Sequence, residues 1–215
     1  MKMNKSALAL AFAIVGSSTA VQAEITGNIG FTSNYLWRGV TQTSDDAAVQ
    51  GGIDYSNASG LYAGVWASNI TGGEEIDVYG GFAGEAGDVS YDVGLIQYIY
   101  PSATGGDFLE AYGILGFGPA EAGVYYTLDK DGGGEENDIY YYIGAGTELE
   151  DGWSAGVTIG HYDYEAAASA DYSHYQLDIG KTVGDYGDFT FTLSQVDEST
   201  LDDDLIATVS WSKSF

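Results

Sequence analysis

Apolar and polar side chains alternate residue by residue in run after run of this chain. Ile25, Ile29, Phe31, Tyr35 and Trp37 share one parity, while Thr26, Asn28, Thr32, Asn34 and Arg38 share the other. The next run sets Val49, Ile53 and Tyr55 against Gln50, Asp54 and Ser56. Successive side chains on a strand point to opposite faces, so each run predicts a strand with one apolar and one polar face. No stretch of the mature sequence has a convincing helical period. The fold class is therefore all-β, and the open question is which face is wet.

About twelve strands, with a range of 10 to 14, are read from this alternation. They are residues 25–37, 47–56, 61–68, 76–82, 89–100, 108–116, 121–128, 138–147, 153–162, 172–182, 189–196 and 205–215. The third and sixth, 61–68 and 108–116, do not declare a face. The connections sort into two kinds. Residues 56–60, 84–88, 117–120, 148–152 and 184–187 are short. Residues 39–46, 69–75, 101–107, 129–137, 163–171 and 197–204 are longer and more acidic. With the N-terminus on the periplasmic side, the short turns fall on one side and the long loops on the other. An even strand number with that asymmetry is expected of a single-chain antiparallel transmembrane β-barrel, with short periplasmic turns and longer extracellular loops.

Compartment and composition agree. Lys2 and Lys5 precede an apolar run from Ala7 to Val15, and Val21-Gln22-Ala23 is a small-x-Ala cleavage pattern. Residues 1–23 therefore read as a secretory signal peptide, and the barrel as residues 24–215. There are no cysteines, so backbone ladder and burial must hold the fold without disulfides or thiolate metal sites. Only 2 Pro are present beside 32 Gly, 18 Tyr and 4 Trp. Few prolines suit an unbroken ladder, and tyrosine and tryptophan suit a membrane interface.

The net charge is −26, and Arg38, Lys130, Lys181 and Lys213 are the only basic residues beyond the leader. Such a chain has no footprint for nucleic acid. Lys181 and Lys213 lie on the apolar parity near strand ends, where a lysine costs about 0–1 kcal/mol against roughly 2–4 at mid-bilayer. On the polar parity, Arg38, Asp54, Asp77, Asp92, Glu110 and Asp178 are candidates to line an interior channel. Arg38 sits there at the loop end of the first strand, with Asp54, Asp77 and Glu110 as its candidate partners. The interior reads either as an acidic pore biased by Arg38 or as a barrel filled by salt bridges. The last strand, carrying Trp211 and ending in Phe215, must pair with the first, since an open edge in lipid leaves unsatisfied backbone groups.

Several segments resemble the TorF-type porin family of Gram-negative bacteria. They are SNYLWRGVTQT at 33–43 with AVQGG at 48–52, GLYAGVWASN at 60–69, IDVYGG at 76–81, VGLIQYIYP at 93–101 and EAYG at 110–113. The resemblance covers the N-terminal half of the mature chain. It implies an outer-membrane barrel engaged in passive transport. A strand ending in Phe also resembles the signal read by the barrel-assembly machinery, although Lys213 departs from the aromatic usual two residues before the end. The expected partners are outer-membrane lipid, lipopolysaccharide and small solutes, cationic or neutral.

Other readings are weaker in the sequence. His161 shares parity with the apolar Val157 and Ile159, His174 shares it with Gln176 and Asp178, and Ser173 points away from His174. No serine sits in a recognisable nucleophile setting, so no catalytic residue is assigned and an enzyme is not expected. The acidic loop from Asp129 to Asp138 fails the calcium-loop spacing because Tyr140 stands where the closing glutamate belongs. No metal or cofactor is expected. A closed structural or adhesive barrel, and a soluble exported β-sandwich, remain the alternatives.

Overall fold

The computed structural model describes residues 23–133, 137–166 and 169–215. The expected signal peptide falls almost wholly outside them. The wall consists of β1 (Glu24–Thr32), β4 (Ala48–Ser56), β5 (Leu61–Ile70), β6 (Gly73–Ala86), β7 (Val89–Ile99), β8 (Phe108–Phe117), β9 (Ala120–Lys130), β10 (Ile139–Glu148), β11 (Trp153–Asp163), β12 (Tyr172–Thr182), β13 (Asp188–Val196) and β14 (Ile206–Ser214). Each strand pairs antiparallel with its neighbours, and β1 closes on β14, giving a 12-stranded barrel. Two further strands, β2 (Leu36–Trp37) and β3 (Val40–Thr41), pair only with each other.

Closure is stitched by Phe31 opposite Trp211 and Thr32 opposite Ser210. Gly27 and Phe215 exchange both backbone hydrogen bonds at 2.9 Å. The Trp211 indole donates to the Tyr186 carbonyl at 2.8 Å, tying the seam to a turn. Every wall strand thus has two partners, and the wall has no unpaired edge.

The faces follow the alternation, and the apolar one is outside. Ile25, Ile53 and Ile143 are 73%, 64% and 60% exposed, and Val93, Val157, Ile159, Val209 and Phe191 share that outer surface. A soluble protein rarely presents so extensive an apolar surface. The lumen holds the opposite kind of residue: Asp77, Glu110, His174, Asp178, Thr192 and Ser194 are buried. Grease outside and polarity inside is the polarity of a transmembrane barrel, and it excludes the sandwich alternative.

The structure also resolves the two undeclared strands. In β5, Tyr62, Trp66 and Ser68 turn inward while Leu61 and Val65 face out. In β8, Glu110 and Tyr112 are inward and Leu115 and Phe117 outward. A register shift at Leu109/Glu110 leaves Leu128 of β9 without an opposite residue. That bulge, together with the aromatic Phe108 on the lumen parity, is why the β8 pattern is mixed.

Three sequence expectations are corrected. The first strand does not run to Trp37. At Ser33 the side-chain hydroxyl accepts from the Val209 amide at 3.0 Å while the Ser33 amide donates to the Val209 carbonyl at 2.9 Å. There the chain leaves the wall. β4 resumes opposite Thr32 at Ala48, so the wall stays continuous. Residues 39–46 are accordingly no extracellular loop. Nor is 69–75 a long connection, because β5 and β6 are joined by Thr71 and Gly72 alone, with Gly72 at φ +84°.

Candidate functional site

The segment that leaves the wall folds into the lumen. Leu36–Trp37 and Val40–Thr41 form a small ribbon around a two-residue turn, Arg38 at φ 50° and Gly39 at φ 87°. Two successive positive φ values make the tight hairpin turn whose twist matches antiparallel strands. Asn34 pins the base. Its Oδ1 accepts from Thr41 at 2.6 Å and Thr43 at 3.2 Å, and its Nδ2 donates to Asp45 at 2.7 Å. The Thr71 amide donates to the Gln42 carbonyl at 2.8 Å, joining the ribbon to the β5–β6 turn.

From this base the ribbon crosses to the opposite wall. Counting around the closed sheet, β9 lies diametrically across from β1. The Arg38 guanidinium meets the wall there. Nη1 and Nη2 donate to the two oxygens of Glu110 on β8 at 2.9 and 2.5 Å. The same group lies 4.2 Å from the Trp37 ring, 4.8 Å from Tyr125 of β9, 4.4 Å from Tyr140 of β10 and 5.2 Å from Tyr162 of β11. Arg38 is 8% exposed and Glu110 1%. A bidentate pair inside an aromatic ring is a specific seat for a planar cation.

Aromatic packing fills this end of the lumen. Tyr98 stacks on Phe108 with centroids 4.2 Å apart, and Trp37 stands edge-on to both. Tyr35 and Tyr100 donate to the two oxygens of buried Glu75 at 2.6 and 2.7 Å. On the far side, Tyr140 and His174 are joined through Oη and Nε2 at 2.8 Å.

Nearer the short turns the lumen is lined by half-buried carboxylates held by hydroxyl and amide donors. Asp54 accepts from Tyr79 and, at 3.3 Å, from Asn28. Asp92 accepts from Tyr62 at 2.5 Å, and Tyr62 is itself bonded to Tyr112. Glu121 accepts from Tyr142 at 2.9 Å. Asp178, more deeply buried, accepts from Gln176 at 2.8 Å and Thr192 at 2.5 Å.

All six lumen candidates from the sequence therefore lie inside the barrel, but they do not form one cluster. Arg38 joins Glu110 alone. It reaches Glu110 from the ribbon rather than from the wall of the first strand. Asp77 is 6% exposed, faces the charges of Glu75 and Glu110, and its Oδ1 has no hydrogen-bond partner. Asp54, Asp92 and Asp178 have their own local partners. Sequence reasoning missed Glu75, Glu121 and the wall tyrosines of the cage. The parity of Tyr140 and Tyr142, opposite to the outward Tyr141 and Ile143, was the available signal. Trp37 had been placed on the outer face, and the inward turn of the ribbon reverses it.

At the loop-side rim, Lys130 pairs with the buried Asp138, beside an acidic stretch whose residues 134–136 lie outside the described residues. Lys181 stands over Trp153 at 4.9 Å, and Lys213 donates to the Asp185 carbonyl at 2.7 Å. On the outer face, His161 Nδ1 and Ser173 Oγ lie 3.1 Å apart. Among the described residues, no three His, Cys, Asp or Glu side chains gather as a metal site.

A profile of a bacterial family described as being of unknown function, Gcw_chp, matches residues 17–208. No curated protein matches by sequence. Among solved structures the fold is similar to the KdgM porin, with a TM-score of 0.63 at 6% identity over 88% of this chain and 98% of that one. It is similar to the KdgM porin in complex with disordered oligogalacturonate, with a TM-score of 0.57 at 6% identity over 90% and 96% of the two chains. A chain from work on the in-meso crystallization of membrane proteins also matches, at TM-score 0.63 and 9% identity over 89% and 83%. The shared feature is the fold, that of an outer-membrane β-barrel.

Proposed function

We propose a function for a chain that belongs to Gcw_chp, a family of bacterial proteins of unknown function: it is a porin-like outer-membrane channel for small cationic or neutral solutes, narrowed at its loop-side mouth by its own inward ribbon. The observation that carries this reading is the inverted polarity of the barrel, apolar toward lipid and acidic within. The likeness of the 33–113 motifs to TorF-type porins supports it. Export by residues 1–23, insertion by the assembly machinery, and an outer leaflet of lipopolysaccharide around the loops belong to the same reading.

The mechanism is diffusion past fixed charges, without turnover. Asp54, Asp92, Glu121 and Asp178 line the short-turn half, where Asp54, Asp92 and Glu121 are half-buried and reachable by water. Arg38, the buried cation of the lumen, is already matched by Glu110. Fixed anions raise the local concentration of cations and lower that of anions. The KdgM porin has been solved with oligogalacturonate, a polyanion. The carboxylates here argue for a solute of the opposite charge.

Planar-bilayer recording tests this. A salt gradient should give a reversal potential of cation-selective sign, and neutral sugars of rising size should set the cut-off of the constriction. A reversal potential at zero would end the charge argument. The depth to which the ribbon and its aromatic neighbours fill the loop-side mouth favours a second reading, a closed barrel whose acidic loops meet a partner. Absence of current from the folded protein would select it.

A further inference from the structure

The seat around Arg38 is filled by the protein's own side chain. We propose that solutes bearing a guanidinium group bind it by displacing Arg38, so that the ribbon acts as an internal competitor for the cations the pore admits. The consequence for transport rests on the channel reading above; the binding itself does not.

Three observations converge. First, three of the four rings around the guanidinium, Tyr125, Tyr140 and Tyr162, belong to the wall rather than the ribbon. They stay in place if the ribbon withdraws, and each lies within the roughly 6 Å range of a cation–π contact. Second, Glu110 presents both oxygens to one planar fork while 1% exposed. Without Arg38 that carboxylate is buried and uncompensated, which makes the vacated seat strongly cation-seeking. Third, Asp77 is 6% exposed, faces the charge of Glu110, and has an Oδ1 without a partner. A buried polar atom of the lumen is thus left unmatched.

The occupant is also separate from the wall. It rides on a two-residue turn between strands of two residues each, and the barrel wall closes without it. Exchanging Arg38 for a solute moves no wall strand. The chemistry selects among cations. A planar five-donor fork matches Glu110 bidentately and lies flat against the rings, whereas a compact ammonium can do only the second poorly. Urea has the shape without the charge and sodium the charge without the shape, so both are excluded.

The test uses the purified, folded barrel. Arg38→Asn keeps an Asn-Gly turn, which favours the same positive φ values. Its thermal midpoint should fall. Low-millimolar guanidinium chloride should restore at least half of that loss and shift tryptophan emission, while sodium chloride or urea at equal concentration should not. Adding Glu110→Gln should abolish the rescue. A variant that responds no more to guanidinium than to sodium overturns the proposal, as does rescue that survives Glu110→Gln. The wild-type barrel supplies an arm that needs no variant. Guanidinium should raise its open fraction saturably above an ionic-strength control, and an open fraction unchanged in a conducting barrel counts against the proposal. Rescue in a barrel that never conducts would sink the channel reading and leave the site standing. Conductance without rescue would do the reverse.

Discussion

Gly39 rests against His174. A Cβ built on Gly39 would stand 2.5 Å from the His174 Cβ and 3.2 Å from Cγ1 of Val196, at a backbone φ of +87°. The tip of the ribbon therefore touches the wall at β12 and β13 through a residue with no side chain. Any other residue would meet both a steric and a conformational obstacle.

Gly39→Ala should accordingly loosen the ribbon and spare the wall. The left-handed backbone costs a non-glycine residue roughly 1–2 kcal/mol, before the contact with His174 is added. Conductance should rise and Trp37 emission should shift to the red, with the barrel still resistant to unfolding in detergent. Gly118→Ala is the control. It has φ +58° and nothing within 4 Å, on a short turn remote from the lumen, so it should carry the backbone cost without the change in current.

The Arg38–Glu110 pair separates two kinds of substitution. Glu110→Gln leaves a buried guanidinium unmatched and should destabilise by about 3–5 kcal/mol in urea refolding into vesicles. Replacing both partners with apolar residues of similar size, Arg38→Met with Glu110→Leu, should recover most of that loss. A double variant as unstable as the single one would mean that the aromatic seat, not the pair, supplies the stability.

Selectivity should reside in the short-turn half of the lumen. Asp54→Asn with Asp92→Asn removes two charges while keeping an acceptor for Tyr79 and for Tyr62. The reversal potential under a salt gradient should move toward zero with little change in the size cut-off for neutral sugars. An unchanged reversal potential would place the selectivity elsewhere.

The outer face makes its own prediction. Val157 lies in the middle of β11, 52% exposed and flanked by outward Ile159. Val157→Arg should cost roughly 2–4 kcal/mol of stability in bilayers. Lys213→Arg, at the short-turn rim, should be close to neutral. Equal costs at the two positions would contradict the assignment of this surface to lipid.

The wall and its two faces were legible in the sequence because each strand declares itself locally. Alternation at Val49 to Ser56 or Leu205 to Trp211 requires no knowledge of a distant partner, only that one side of the strand meets grease and the other meets water. The lumen positions of Asp54, Asp77, Asp92 and Asp178 followed from the same count, while that of Glu110, in a run that declares no face, came from the structure. The ribbon was not legible. Asn34, Tyr35, Trp37 and Arg38 continue the alternation of β1 without a break, so parity reads them as more of the same strand. What turns them inward is Ser33 capping the ladder at Val209, 176 positions away, and Arg38 finding Glu110, 72 positions away. Those partners meet only once the sheet has closed. The local pattern thus set a barrel with an acidic interior, while closure of that barrel decided where Arg38 would be seated.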